Sequence, residues 1–362
     1  MPDPHLVPES PAATPRRLDP ARFFGEVDGA PVALFRLRHA SGMEVAVCNL
    51  GAKVLQILVP GRDGSLDDVA LGYDSLAALQ AGTPSMGAFI GRYAGRIAQA
   101  RYTLDGTDHR LQANAGPHAI HGGPNGSRHR VFSAHQDAPD RLTLRLRFEP
   151  SVDHHPGILD LTLTSHLTAP HTLVVEHEAV AVCRASPAAP ASFTPHIFFN
   201  LDGPGETLID THELQVAAHH MLATDADNVA TGERTALDGH ALDLRAVRRM
   251  GDLPDIDHAY ETASPSGEAL HRVACVHSAV SGRALEVWTT EPVLQVYTAG
   301  ALGRGKEPDI GKSGVRHRPR AGLCLEPQRY PNAMNCPAFP LLRVRPEQPY
   351  RARTEYRFGL SA

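Results

Sequence analysis

The sequence predicts an all-β protein, and three observations carry that reading. Apolar and polar residues alternate with a period of two: Leu142, Leu144, Leu146 and Phe148 against Arg141, Thr143, Arg145 and Arg147. The same pattern puts Leu159, Leu161, Leu163 and Leu167 on one face, and sets Tyr350, Ala352, Thr354, Tyr356 and Phe358 against Arg351, Arg353, Glu355 and Arg357. Successive side chains of a strand point to opposite faces, so these runs read as antiparallel strands with one buried face. Next, 31 glycines and 30 prolines are spread along the 362 residues, the punctuation expected of many short strands and turns. Finally, helical periodicity is scarce and no long βα alternation occurs, which disfavours a parallel α/β sheet. A single large β-sandwich fits best.

Further strands are expected at 31–38, 43–49, 53–59, 172–182, 271–279, 283–289 and 293–298, with a hairpin at Ser281-Gly282. Residues 74–81 suit one short helix capped by Asp74 or Ser75. The Ala/Pro/Ser stretch at 185–192 is too short for a domain linker and reads as a loop. Segments 60–68, 105–130 and 301–321 read as long loops, where a β-sandwich commonly carries its site. Residues 1–20 are proline-rich and charged, without the apolar stretch of a signal peptide, and read as a disordered tail. Residues 21–362 then form one domain without internal repeats.

With 42% hydrophobic and 21% charged residues, the chain has the composition of a globular protein. A net charge of −5 gives no electrostatic case for nucleic acid or an anionic membrane. The arginine clusters (Arg245, Arg248 and Arg249; Arg316, Arg318 and Arg320) read as solvated surface. The cysteines (Cys48, Cys183, Cys275, Cys324 and Cys336) are odd in number, scattered and free of Cys-x-x-Cys. They suggest neither a disulfide framework nor a metal cluster, and fit a reducing cytoplasm. No apolar stretch is long enough to span a bilayer.

Chemistry-bearing residues stand out where they interrupt apolar runs. Glu326 follows Gly-Leu-Cys-Leu at 322–325, and a carboxylate there is costly to desolvate unless paired, hydrogen-bonded or used. His196 sits in Pro-His-Ile-Phe-Phe-Asn-Leu at 195–201; the alternative is a core histidine bonded to a backbone carbonyl. His121 precedes Gly122-Gly123 and would equally serve as a turn residue. Arg96 ends the glycine-flanked run Gly-Arg-Tyr-Ala-Gly-Arg, where an ordinary structural arginine is the competing reading. Asp257, in Asp-Ile-Asp-His-Ala-Tyr, reads as a ligand-facing or a turn carboxylate. Gln295, inside the β-type run Leu-Gln-Val-Tyr-Thr, is expected to meet a ligand or a buried partner. An acid, a base and an auxiliary imidazole on otherwise apolar segments suggest proton transfer.

Taken together and in order, Gly-Arg-Tyr-Ala-Gly-Arg-Ile, Ile-His-Gly-Gly, His-Ile-Phe-Phe-Asn-Leu, Asp-His-Ala-Tyr, Leu-Gln-Val-Tyr-Thr and Leu-Cys-Leu-Glu-Pro-Gln-Arg-Tyr-Pro-Asn-Ala resemble the aldose 1-epimerase (galactose mutarotase) family over roughly residues 25–360. The resemblance implies a galactose mutarotase-like β-supersandwich and anomer interconversion of a free aldose such as galactose or glucose. It implies Glu326 as general base, His196 as general acid, His121 as second histidine, and Arg96, Asp257 and Gln295 as sugar-binding residues. It calls for no cofactor or metal, a monosaccharide as the partner, and a monomer or homodimer. The sequence departs from the family pattern at Gly95, Pro195, Ile197, Phe198, Ala299 and Gly300, positions that bear on which sugar is preferred. The competing readings are a hexose-phosphate mutarotase, with Arg316, Arg318 and Arg320 as the phosphate cluster, and a non-catalytic sugar-binding protein.

Overall fold

The computed structural model describes residues 17–360 except 62–63, 84, 183–187, 206, 263–268 and 306–307. The expected tail falls mostly outside the described residues; of its last four, Arg17 donates to both Glu44 oxygens at 2.9 Å and Leu18 is buried. Strands dominate, and no helix among the described residues is long and apolar enough to cross a membrane.

A nine-stranded antiparallel sheet runs in the order Ser133–Ala138, Arg141–Phe148, Leu159–Thr168, Thr172–Ala181, Tyr350–Leu360, Arg283–Thr289, His271–Ser278, His212–Val216, Arg248–Arg249. A six-stranded sheet, in the order Phe198–Phe199, Leu323–Gln328, Val293–Tyr297, Asp257–Glu261, His220–Thr224, Ala230–Ala236, shares its apolar core. Leu323, Leu325, Leu294, Val296 and Tyr260 enter that core from the smaller sheet, and Leu161, Leu163, Leu285, Val287 and Tyr356 from the larger. The Tyr356 hydroxyl donates to the Leu325 carbonyl at 3.2 Å, one polar stitch through the apolar layer. A four-stranded sheet of Leu34–Arg38, Glu44–Cys48, Lys53–Pro60 and Leu66–Asp68 adds Leu37, Val45 and Ile57 to the same core.

The alternation seen in the sequence is the alternation of burial. Arg141–Phe148 and Leu159–Thr168 bury the expected leucines, and the Ser281-Gly282 turn joins His271–Ser278 to Arg283–Thr289. The short helix is Leu76–Ala81, with Ser75 as its cap: the Ser75 hydroxyl accepts from the Ala78 amide. Some expectations change. The strand expected at 31–38 breaks into Ala30–Val32 and Leu34–Arg38, because the buried Asn49 side chain accepts from the Ala33 amide (2.8 Å) and donates to the Pro31 carbonyl (3.0 Å). Segments 60–68, 105–130 and 185–192 are not wholly loop: Leu66–Asp68 pairs with Lys53–Pro60, Thr107–Arg110 with Arg101–Leu104, and Ala189–Pro190 with Arg343–Val344.

One buried clasp fixes the 301–321 segment. Lys312 Nζ donates to the Asp68 carboxylate at 2.5 Å and to the Leu55 and Ala70 carbonyls at 2.8 and 2.6 Å. Burial pulls its ammonium below the ordinary range, while Asp68 opposes that. Asp68→Ala leaves the cation buried without its anion, and a loss of about 3–5 kcal/mol is expected from the urea midpoint. The paired change Asp68→Leu with Lys312→Met should recover only part of it, because the Ile57 and Ala70 amides also donate to the Asp68 carboxylate. A loss under about 1 kcal/mol, the level of an exposed pair, would show the clasp to be solvated.

Candidate active site

Strand register builds one wall of the site. Along Leu323–Gln328, Leu323 and Leu325 enter the core, so Cys324, Glu326 and Gln328 face the other way. Glu326 lies opposite Gln295, Gln295 opposite Ala259, and Asp257 opposite Tyr297. All of these except Cys324 line a cleft of about 400 Å³. That size lies within the usual range for small-molecule sites.

Loops supply the other wall. His196 is held at its backbone on both sides: its amide donates to the Ala88 carbonyl at 2.8 Å, and its carbonyl accepts from the Gly87 amide at 2.9 Å. Arg96 and His121 are brought together because Arg96–Ile97 pairs with Ala119–Ile120. His121 has a φ of 55°, and Gly122 continues the left-handed path at 78°. A Cβ on Gly122 would lie 2.1 Å from the Gly91 carbonyl oxygen, so only glycine fits there.

Sequence reasoning named His121, Arg96, His196, Asp257, Gln295 and Glu326, and all of them line this cleft. His196 Nε2 lies 3.4 Å from Glu326 Oε1, close enough for an ion pair but without an aligned hydrogen bond. The pair is nearly removed from solvent, at 5% and 2% exposure. Glu326 Oε2 and His196 Nδ1 have no hydrogen-bond partner among the described residues. The His196 ring stacks on Phe198 (centroids 5.1 Å) and meets His121 edge-on at 5.3 Å. The Gly95 amide donates to His121 Nδ1 at 3.3 Å, which leaves the proton of the neutral ring on Nε2. Asp257 accepts from Gln295 Nε2 at 2.7 Å and from Asn228 Nδ2 at 2.6 Å, with an Arg96 guanidinium nitrogen at 3.8 Å.

Burial dominates the electrostatics. It pushes the Glu326 carboxyl well above the carboxylate range, and the Asp257 charge adds to that. It pulls the His196 imidazole down, with Arg128 acting in the same direction, and pulls His121 well down, reinforced by His196, Arg128 and Arg96. Each group is driven toward its uncharged form.

His196, Cys324 and Glu326 also offer ligand atoms within 4.8 Å of one another. Burial raises the Cys324 thiol well above its ordinary value.

Several lining residues are not among those singled out from the sequence. Gln328 and Tyr297 were legible as the same-face neighbours of Glu326 and Gln295 two residues on; Asn228, Asn114 and Ser85 come from loops, and Arg128 from the short 3-10 turn Ser127–His129, all without periodic signal. Of the long loops, 105–130 supplies Asn114, Ile120, His121 and Arg128, and 301–321 supplies Ala301 and Leu302, whereas no residue of 60–68 lines the cleft among those described. Arg316, Arg318 and Arg320 are likewise absent from the lining; Arg320 binds Asp210 at 2.6 Å and Asp255 at 3.0 Å. Gly95 has a φ of 79°, and a Cβ there would lie 2.8 Å from Pro331 Cβ, so the missing side chain at this position matches a close backbone approach.

The family model for aldose 1-epimerase matches residues 33–357. The chain is 33% identical to galactose mutarotase of Rattus norvegicus over 348 residues, covering 93% of this chain and 98% of that one. It is 30% identical to aldose 1-epimerase of Escherichia coli K12 over 347 residues, 91% and 96% of the two chains. Its fold superposes on a GalM/aldose epimerase homologue from C. elegans with a TM-score of 0.84 at 24% identity, covering 91% of this chain and all of that one. It superposes on galactose 1-epimerase from Lactobacillus acidophilus with a TM-score of 0.77 at 22% identity, covering 94% and 98%.

A carboxyl whose pKa rises on folding contributes fully below its unfolded value, about 4.3, and that contribution is lost as pH rises. Glu326→Gln, which cannot ionise, is therefore expected to gain stability over the unsubstituted protein as pH is raised from about 4 toward 8. Urea unfolding across that range measures the gap. Parallel curves would mean that Glu326 ionises in the folded protein without penalty.

Proposed function

The chain belongs to the aldose 1-epimerase family of isomerases, and on that premise we propose that it interconverts the α and β anomers of a free aldose by opening and reclosing the sugar ring. Galactose is the first substrate to test, since relatives at about a third identity carry the name galactose mutarotase. The observation that carries the mechanism is the buried contact of Glu326 and His196 at 3.4 Å, with Glu326 Oε2 and His196 Nδ1 unpartnered.

A pyranose is a cyclic hemiacetal, with the anomeric hydroxyl and the ring oxygen on the same carbon. In this reading Glu326 removes the hydroxyl proton while His196 protonates the ring oxygen, and the bond from C1 to the ring oxygen breaks. The aldehyde turns about C1–C2. Reclosure on the other face reverses both transfers, so no net proton is consumed. Burial favours the uncharged pair at rest. Moving a proton from Glu326 to His196 gives the carboxylate and imidazolium that start the reaction, without changing the net charge of the cleft. His121 would donate from Nε2, and Arg96, Asp257 and Gln295 would hold sugar hydroxyls; the fixed Asp257–Gln295–Asn228 bonds favour a preset orientation. A reducing, cytoplasmic setting suits Cys48, Cys275, Cys324 and Cys336, which are free among the described residues.

Glu326→Gln and His196→Asn are each expected to lose about 10²–10⁴-fold of the acceleration while remaining folded. Polarimetry of freshly dissolved α-galactose, where spontaneous mutarotation is slow, reads this directly. Near-normal rates in either variant would overturn the assignment of the pair. Arg96→Ala should raise KM more than it lowers kcat; no change in either would remove Arg96 from the substrate contacts.

A further inference from the structure

One cation in the cleft has no anionic partner among the described residues and no part in the reaction above. Arg128 lines the cleft with Ser85, His121 and His196 and is only 7% exposed. Its Nη1 donates to the Ser85 hydroxyl and its Nε to His129 Nε2, both at 3.0 Å. Both partners are uncharged: burial, Arg128 and Lys53 hold the His129 imidazole down at about 4. Nη2 has no acceptor among the described residues.

The protein's other buried bases show how unusual this is. Arg92 pairs with Asp153, Arg283 with Asp67 and Lys312 with Asp68. Among the described residues no carboxylate pairs with Arg128, nor with its buried neighbour Lys53, whose ammonium donates to the Arg128 carbonyl at 2.8 Å. The two differ in how they bear the lack of an anion. Burial lowers the Lys53 amine to about 8, within reach of losing its proton. The Arg128 guanidinium, lowered by burial to about 10, stays charged at neutral pH. A desolvated cation with a free donor edge, open only to a substrate cleft, is matched by an anion on the substrate. The Asp257 carboxylate does not serve, since Gln295, Asn228 and Arg96 already engage it.

We propose that the preferred substrate is an aldose carrying an anionic substituent, a carboxylate or a phosphate, which Arg128 binds through its free guanidinium edge. The proposal rests on the ring-opening reading and adds a substrate class to it. Neutral sugars still fit the same acid–base pair, but leave the cation unmatched.

The test follows anomer exchange by proton NMR for D-galactose, D-galacturonate and D-galactose 6-phosphate at equal concentration. At least one acidic sugar is expected to exceed galactose in kcat/KM by about tenfold, the scale of one buried charge-assisted hydrogen bond, with an advantage that shrinks as salt is raised. Whichever acidic sugar leads identifies the anionic group. Arg128→Met should cut the acidic-to-neutral ratio by about tenfold, and Arg128→Lys should cut it less. Melting curves check that the variants fold, and the acidic sugar should raise the melting temperature of the unsubstituted protein more than that of Arg128→Met. If the methionine variant does not fold, the substrate panel and its salt dependence decide. Galactose turned over as well as both acidic sugars, or a ratio unmoved by Arg128→Met, would overturn the proposal while leaving ring opening intact. If none of the three sugars is accelerated, the ring-opening reading itself has failed.

Discussion

The structure is organised around a carboxyl and an imidazole held in contact where almost no water reaches them. Burial drives each toward its uncharged form, and the two lie 3.4 Å apart. Such a contact survives only if its surroundings leave the groups nowhere else to go. The Leu323–Gln328 strand fixes Glu326 from one side, because sliding it by a single residue would send Leu325 into the cleft and the carboxylate into the core. The two backbone bonds of His196 to the 87–88 segment fix the imidazole from the other. The stacked Phe198 ring then occupies a face where water would otherwise solvate the imidazolium.

How much of this was legible in the sequence depended on the kind of constraint. Where burial alternates along a strand, the sequence reads almost directly: Leu159–Thr168 alternates residue by residue, and Glu326 and Gln295 stand out as polar residues on runs that are otherwise apolar. The expected sandwich is present, and its relatives by fold are galactose mutarotase-like proteins. What the sequence hid was set by contacts between distant segments. Asn49 interrupts the first long strand from 16 residues away, and nothing local announces it. Glu355, expected on a solvated face, is buried beneath Arg353 and Arg357, since long arginine stems can cover a carboxylate that they also neutralise. Arg128 sits in a three-residue 3-10 turn, too short for periodicity, so only its missing counter-ion, visible in three dimensions, draws notice.

Buried charge thus plays two parts in one molecule. The Lys312–Asp68 clasp is self-contained, tying the 301–321 segment to the four-stranded sheet and leaving the solvent nothing to complete. The cleft is left electrically unfinished at Arg128. Stability and receptivity are therefore assigned to different places, separated by the strand faces: leucines and valines toward the shared core, polar side chains toward the opening.

The position of Tyr350–Leu360 carries a consequence for biosynthesis. This segment lies in the middle of the nine-stranded sheet, bonded to Thr172–Ala181 on one edge and Arg283–Thr289 on the other, yet it follows both in the chain. On the ribosome the two half-sheets must wait with open edges until it emerges, exposed to pairing with one another or with other nascent chains. Its entry closes loops of great length, a slow step by comparison with local hairpins. On the Thr172–Ala181 edge, Glu176 and Glu178 await Arg353 and Arg351 of the entering strand, a charge pattern that favours the right latecomer.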